Sequence, residues 1–122
     1  MDKKKILVIE DDPPIARILK YNFEKQGYLI TVVKEAEKAL ETLAQQKYDL
    51  IIHDMKLPLL EYGLELFSQI RNRYKEIPIV ILSVAADESP VIDLDAAAFI
   101  LKPFELKNLN ARIKKIVNSE EL

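Results

Sequence analysis

Short apolar runs alternate with helical stripes along the whole chain, and that alternation restricts the fold more than any other feature. Ile6–Ile9, Leu50–Ile52 and Ile79–Leu82 are continuous and rich in β-branched residues, the pattern of strands buried on both faces of a parallel sheet. Leu29–Val33 holds Thr31 and has polar flanks, so it reads as an edge strand; Phe99–Leu101 reads as a fifth, short strand. Between the runs, apolar residues recur at helical spacing. The stripes are Ile15, Ile18, Leu19 and Phe23; Ala36, Ala39, Leu40 and Leu43; Leu64, Phe67, Ile70 and Tyr74; and Leu106, Leu109, Ile113, Ile116 and Val117. The first has Asp12 as a candidate N-cap, Pro13 at the first helical position and Gly27 as its stop. A weaker pattern spans Asp87–Ala96, with Ser89 able to cap it. Pro90 clashes with any preceding turn, so the predicted helix is confined to Pro90–Ala97, about two turns.

Strict β-α alternation implies an α/β fold: a doubly wound, five-stranded parallel sheet with helices on both faces, joined by right-handed crossovers. Five units in 122 residues suit the flavodoxin-like strand order 2-1-3-4-5. The length predicts one domain over residues 1–122. In such a sheet ligands bind at the carboxyl ends of the strands, where the first and third strands diverge.

Composition narrows the function classes. No cysteine is present, which removes disulfide scaffolds, thiolate metal sites and cysteine nucleophiles. His53 is the one histidine, so a multi-histidine metal site is excluded. A net charge of −2 gives no electrostatic footprint for nucleic acid or an anionic membrane. Neither a membrane span nor a signal peptide fits the short apolar runs. A cytoplasmic, soluble monomer is expected.

The strand ends carry the chemistry. Glu10-Asp11-Asp12 follow the first strand, and Asp54 ends the third. If the topology holds, these carboxylates converge, and burying like charges without compensation is costly. Mg²⁺, a hard cation that takes one or two carboxylates and bridges to phosphate, is one solution. The other is that the acids only cap the first helix and face water. Lys102 can reach over the carboxylates from the fifth strand, to pair with Asp54 or hold a phosphoryl oxygen as a point charge, while Ser83 places a hydroxyl at the end of the fourth. His53 alternates with Asp54 along its strand, so it is expected to point to the helix layer as a structural or partner-facing residue.

Four segments together resemble the response-regulator receiver domains of two-component signalling. They are Ile6-Leu7-Val8-Ile9-Glu10-Asp11-Asp12, Asp49-Leu50-Ile51-Ile52-His53-Asp54-Met55-Lys56-Leu57-Pro58, Pro78-Ile79-Val80-Ile81-Leu82-Ser83 and Phe99-Ile100-Leu101-Lys102-Pro103-Phe104. The resemblance implies that Asp54 is the phosphoacceptor and that Glu10 and Asp11 are the acidic pair, with Asp11 the direct ligand of Mg²⁺ or Mn²⁺. Asp54 and the main-chain carbonyl of Lys56 would complete the protein's metal ligands. Ser83 takes the switch hydroxyl position, Phe99 the switch aromatic position, and Lys102 that of the phosphate-contacting lysine. The donor would be a histidine kinase or phosphotransfer protein, and the reader an unidentified downstream protein. The domain would not be an enzyme on other substrates; it would catalyse only its own phosphorylation and dephosphorylation.

Three departures from the family pattern stand out. Pro58 to Gly63 is five positions, one more than usual, which predicts an altered loop after the third strand. Ser83 to Lys102 is nineteen, about three fewer than usual, and Asp95-Ala96-Ala97-Ala98 stand where glycine and acidic residues are common. These changes predict a short, mobile fourth helix with exposed apolar surface. They turn expectation away from dimerisation through the face around the fifth strand and towards a partner surface on the first-helix side. The chain stops soon after its last stripe, so no DNA-binding domain is expected within it. The alternative function is a receiver-fold interaction module regulated without phosphorylation. A flavodoxin would need a hydroxyl- and glycine-rich loop where Glu10-Asp11-Asp12-Pro13-Pro14 stand. A haloacid-dehalogenase-type phosphatase would need an aspartate where Lys56 stands.

Overall fold

The computed structural model describes residues 3–56, 59–84 and 95–118. Five strands, β1 (Lys5–Ile9), β2 (Leu29–Val33), β3 (Leu50–Asp54), β4 (Ile79–Val84) and β5 (Ala98–Lys102), alternate with helices α1 (Pro13–Lys25), α2 (Ala36–Gln45), α3 (Leu60–Arg73) and α4 (Leu106–Asn118). All pairings are parallel and the order is β2-β1-β3-β4-β5. The fold is therefore the doubly wound sheet that the alternation implies, with Leu29–Val33 at an edge. Of the helix expected over Pro90–Ala97, residues 90–94 lie outside the described residues, and residues 95–97, which lead straight into β5, are not helical.

Strand alternation splits the core in two. Odd-numbered Leu7, Ile9, Ile51, Ile79 and Ile81 pack with Leu43 of α2 and Leu66, Phe67 and Ile70 of α3. Even-numbered Ile6, Val8, Leu50, Ile52, Val80, Leu82 and Ile100 pack with Leu19 and Phe23 of α1 and Leu109, Ile113 and Val117 of α4. The two helices of that second layer are also tied by a reciprocal amide pair. Asn22 Nδ2 donates to Asn110 Oδ1 at 2.6 Å, and Asn110 Nδ2 donates to Asn22 Oδ1 at 3.1 Å.

Local chemistry sets the helix starts and stops. Asp12 caps α1, its side chain accepting from the Ile15 amide, with proline in the first turn. After α1, Gly27 takes φ +98°, a left-handed conformation that glycine adopts without a Cβ penalty. Helix α3 follows Leu59, which gives it no side-chain cap. Arg71 closes its far end. Nη1 donates to the carbonyls of Tyr74, Lys75 and Ile77, and Nε donates to that of Asp95, just ahead of β5.

Candidate functional site

The register brings the charged strand ends to one place. Glu10 directly follows β1, Asp54 is the last residue of β3, and Lys102 is the last of β5. The Lys102 ammonium lies 3.2 Å from Asp54 Oδ1 and 3.6 Å from Glu10 Oε1. One carboxylate oxygen each from Glu10, Asp11 and Asp54 fall within 4.8 Å of one another. Asp54 also accepts from the Lys56 amide at 3.2 Å, and Glu10 Oε2 accepts from the Asp12 amide at 3.2 Å. Asp12 is exposed and caps α1, so it stands apart from the cluster.

This arrangement is under electrostatic tension. Glu10 is fully buried, Asp54 is 4% exposed and Asp11 is half-buried. Burial is the main force pushing the Glu10 carboxyl up to about 8, and the adjacent Asp54 adds to it. The Lys102 ammonium and the Asp12 amide pull the other way without prevailing. Among the described residues, Glu10 Oε1 has no hydrogen-bond donor. Clustered carboxylate oxygens, one of them buried and undonated, fit a hard divalent cation held by oxygen ligands.

Ser83, 3% exposed, lies next to the last residue of β4. Phe99 is half-buried in β5 and packs on the α2–α3 side. In the sheet register Ile9, His53, Ile81 and Phe99 form one row across four strands. Strand alternation directs His53 to the helix layer, and its side chain does lie there: Nε2 is 3.0 Å from the Gly63 carbonyl of α3. Burial keeps its imidazole pKa below the usual value, opposed by the Gly63 hydrogen bond and by Asp54. Sequence reasoning missed how closely Gly63 sits on Met55, where a Cβ would stand 1.8 Å from the Met55 carbonyl oxygen. The sequence marks Gly63 only by its spacing from Pro58, and spacing carries no information on such an approach.

Comparison with known proteins gives one answer. Residues 6–114 match the response regulator receiver domain. The chain is 35% identical over 122 residues to the alkaline phosphatase synthesis transcriptional regulatory protein PhoP of Bacillus subtilis, covering 98% of this chain and 50% of that protein. It thus spans about half the length of the curated relatives it matches. A CheY-like response regulator receiver domain protein from Methanospirillum hungatei superposes with a TM-score of 0.88 at 27% identity, over 98% of both chains. The response regulator TrrA from Thermotoga maritima, solved in complex with Mg²⁺-BeF, gives a TM-score of 0.80 at 32% identity, over 93% of this chain and 98% of that one.

Proposed function

The chain belongs to the response regulator receiver domain family, and on that premise we propose that it is a phosphorylation switch with Asp54 as phosphoacceptor. The observation that carries this reading is the Lys102 ammonium 3.2 Å from Asp54, beside the Glu10 and Asp11 carboxylates. A carboxylate is a competent nucleophile for an acyl phosphate. One Asp54 oxygen attacks the phosphorus of a phosphohistidine on a histidine kinase or phosphotransfer protein. The O–P bond forms, the N–P bond breaks, and the released imidazole takes a proton from water. Phosphoryl transfer demands mainly positioning and neutralisation of charge. Lys102 supplies a fixed positive charge, and the Lys56 amide orients the Asp54 carboxylate.

Glu10, Asp11, Asp54 and the main-chain carbonyl of Lys56 would hold Mg²⁺ or Mn²⁺. When bound, that cation supplies charge neutralisation to the phosphoryl oxygens. TrrA carries Mg²⁺-BeF in its structure, and the acidic cluster of this chain supports a like site. The added phosphoryl charge draws the Ser83 hydroxyl towards it, and Phe99 repacks in consequence. A downstream protein reads the changed surface. We read residues 1–122 as one receiver domain, cytoplasmic, monomeric and without nucleic-acid contacts of its own. It performs no chemistry beyond its own phosphorylation and dephosphorylation. No helix among the described residues is long and apolar enough to cross a membrane.

Incubation with acetyl phosphate and Mg²⁺, followed by intact-mass measurement, tests the reading. The native chain should gain one phosphoryl group and Asp54→Asn none. A gain that persists in Asp54→Asn moves the phosphoacceptor elsewhere. No gain in the native chain leaves the interaction module regulated without phosphorylation.

A further inference from the structure

His53 is a polar residue inside an otherwise apolar strand, fully buried, and absent from the chemistry above. A carbonyl only accepts, so the 3.0 Å contact with Gly63 O requires the proton on Nε2. In the neutral ring Nδ1 is then a bare acceptor, and among the described residues it has no partner. A leucine would fill similar space and leave no orphaned nitrogen. The Nε2–H donor is therefore what distinguishes histidine here from an apolar core residue.

That donor acts on an element otherwise weakly fixed at its start. Leu59 gives α3 no side-chain cap, and the first turn closes through the Tyr62 and Gly63 amides on the Leu59 carbonyl. Two contacts fix that turn against β3. Gly63 lies backbone to backbone against Met55, and His53 holds the Gly63 carbonyl. They fall on the residues either side of Asp54. The peptide that carries Asp54 and the Lys56 amide is thereby braced against α3 from both sides.

We propose that His53 is a positioning residue for phosphoryl transfer: its Nε2–H holds the first turn of α3 through Gly63 and so fixes the backbone that presents Asp54 and the Lys56 carbonyl. This rests on the phosphoacceptor reading for its functional consequence, but not for the anchoring itself. His53→Leu keeps apolar volume and removes the donor. His53→Gln returns an N–H the same number of bonds from the backbone as Nε2.

Labelling by acetyl phosphate at limiting Mg²⁺ should slow about tenfold in His53→Leu, within the range that small misplacements of reacting groups produce. His53→Gln should recover most of that loss. The thermal midpoint of His53→Leu should equal or exceed the native value, separating positioning from general destabilisation. Hydrogen exchange provides a readout that does not depend on phosphorylation. Amides of the first two turns of α3 should exchange several-fold faster in His53→Leu and return towards native rates in His53→Gln. Native labelling rates in His53→Leu would overturn the positioning role. Unchanged exchange in His53→Leu would overturn the anchoring, whether or not the native chain accepts a phosphoryl group. If the native chain fails to label while exchange still responds as described, the phosphoacceptor reading falls and the anchor stands.

Discussion

Replacing Gly63 by alanine tests how tightly α3 is seated on the strand that ends in Asp54. The new Cβ would meet Met55 backbone only, 1.8 Å from O, 2.6 Å from C and 3.0 Å from Cα. Ordinary van der Waals contact begins at 3.4 Å, so the start of α3 must move by about 1.6 Å. No side chain can rotate away to absorb this. Overpacking typically costs about 1–3 kcal/mol, and a backbone-on-backbone clash belongs at the upper end. Moving α3 also stretches the His53–Gly63 hydrogen bond, whose buried donor then costs about 1–3 kcal/mol if left unpaired. Alanine's better helix propensity returns only about 1 kcal/mol. The net expectation is a loss of about 3–5 kcal/mol.

Urea unfolding followed by circular dichroism measures it. With a urea m-value of about 1.5 kcal/mol/M, the midpoint should fall by about 2–3 M. Gly27→Ala is the matched control. Gly27 has φ +98° but nothing within 4 Å of an added Cβ. Only the left-handed conformation is strained there, at about 1–2 kcal/mol. Gly63→Ala must therefore destabilise more than Gly27→Ala, and must also slow phosphodonor labelling. A Gly63→Ala midpoint close to native, or a larger effect at Gly27, would refute the close approach of α3 to β3.

Three other outcomes follow from the site. Asp11→Ala removes a hard oxygen ligand, so Mg²⁺ affinity by calorimetry and labelling by acetyl phosphate should fall together, while metal-free stability rises slightly as repulsion is relieved. Unchanged Mg²⁺ affinity would remove Asp11 from the ligand set. With metal chelated, Glu10 carries a folded-state pKa of about 8 against 4.5 for the ordinary carboxyl. The folded state then holds a proton that the unfolded chain has released, and stability should fall as pH rises through that window, by at most about 1.4 kcal/mol per unit. Glu10→Gln should flatten the profile in urea titrations from pH 5 to 8, and an equally steep profile in that variant would reject the assignment. Lys56 stands two residues beyond Asp54 and its side chain can only donate hydrogen bonds, so it cannot help orient an attacking water as an acceptor. The phosphoryl group should be long-lived, and Lys56→Asn, which restores an acceptor, should shorten its lifetime by about tenfold. Rapid phosphate loss from the native chain would contradict this.

The sheet was legible in the sequence because its strands are buried on both faces. Burial leaves a continuous apolar run, and a run as short and β-branched as Ile79–Leu82 suits a central strand far better than a helix. The ends of the elements were less so. Asp12 announced α1 because a cap is a property of one side chain and its own backbone. The start of α3 has no cap to read. It is fixed by a contact between Gly63 and Met55 and by one between His53 and Gly63, each across eight or more positions of chain. The Asn22–Asn110 pair spans 88 positions and left no local mark at all. Convergence of Glu10, Asp54 and Lys102 was foreseeable, since each sits at the end of a strand whose place in the sheet the alternation had already implied. That Glu10 in particular is the carboxyl pushed up by burial was not, because this depends on burial at distances that sequence cannot supply.

The same alternation that divides the core also divides the proposed switch residues. Asp54 and Lys102 share strand parity with Leu82 and Ile100, which pack on the α1–α4 side. His53 and Phe99 share parity with Ile9 and Ile81, on the α2–α3 side. A change of charge on Asp54 therefore starts on one parity, while Phe99, the residue expected to repack, lies on the other. The sheet between them is filled with buried β-branched and leucine side chains, and such packing transmits displacement rather than charge. Ser83 meets both requirements. It belongs to the odd parity of Ile79 and Ile81, yet stands at the strand end, where the Asp54 row gives way to the loops. The α3 anchor is the second crossing point, since His53 and Met55 are odd-parity neighbours of Asp54 and both meet Gly63. On the phosphoacceptor reading, a signal from Asp54 would have two routes to the α2–α3 side: the hydroxyl of Ser83 towards β5, and the backbone of residues 53–55 towards α3. Loss of the Ser83 hydroxyl should silence the first and leave the second intact. Phosphorylated Ser83→Ala should then retain exchange changes in α3 while losing those around Phe99, and loss of both together would show that the routes are not separate.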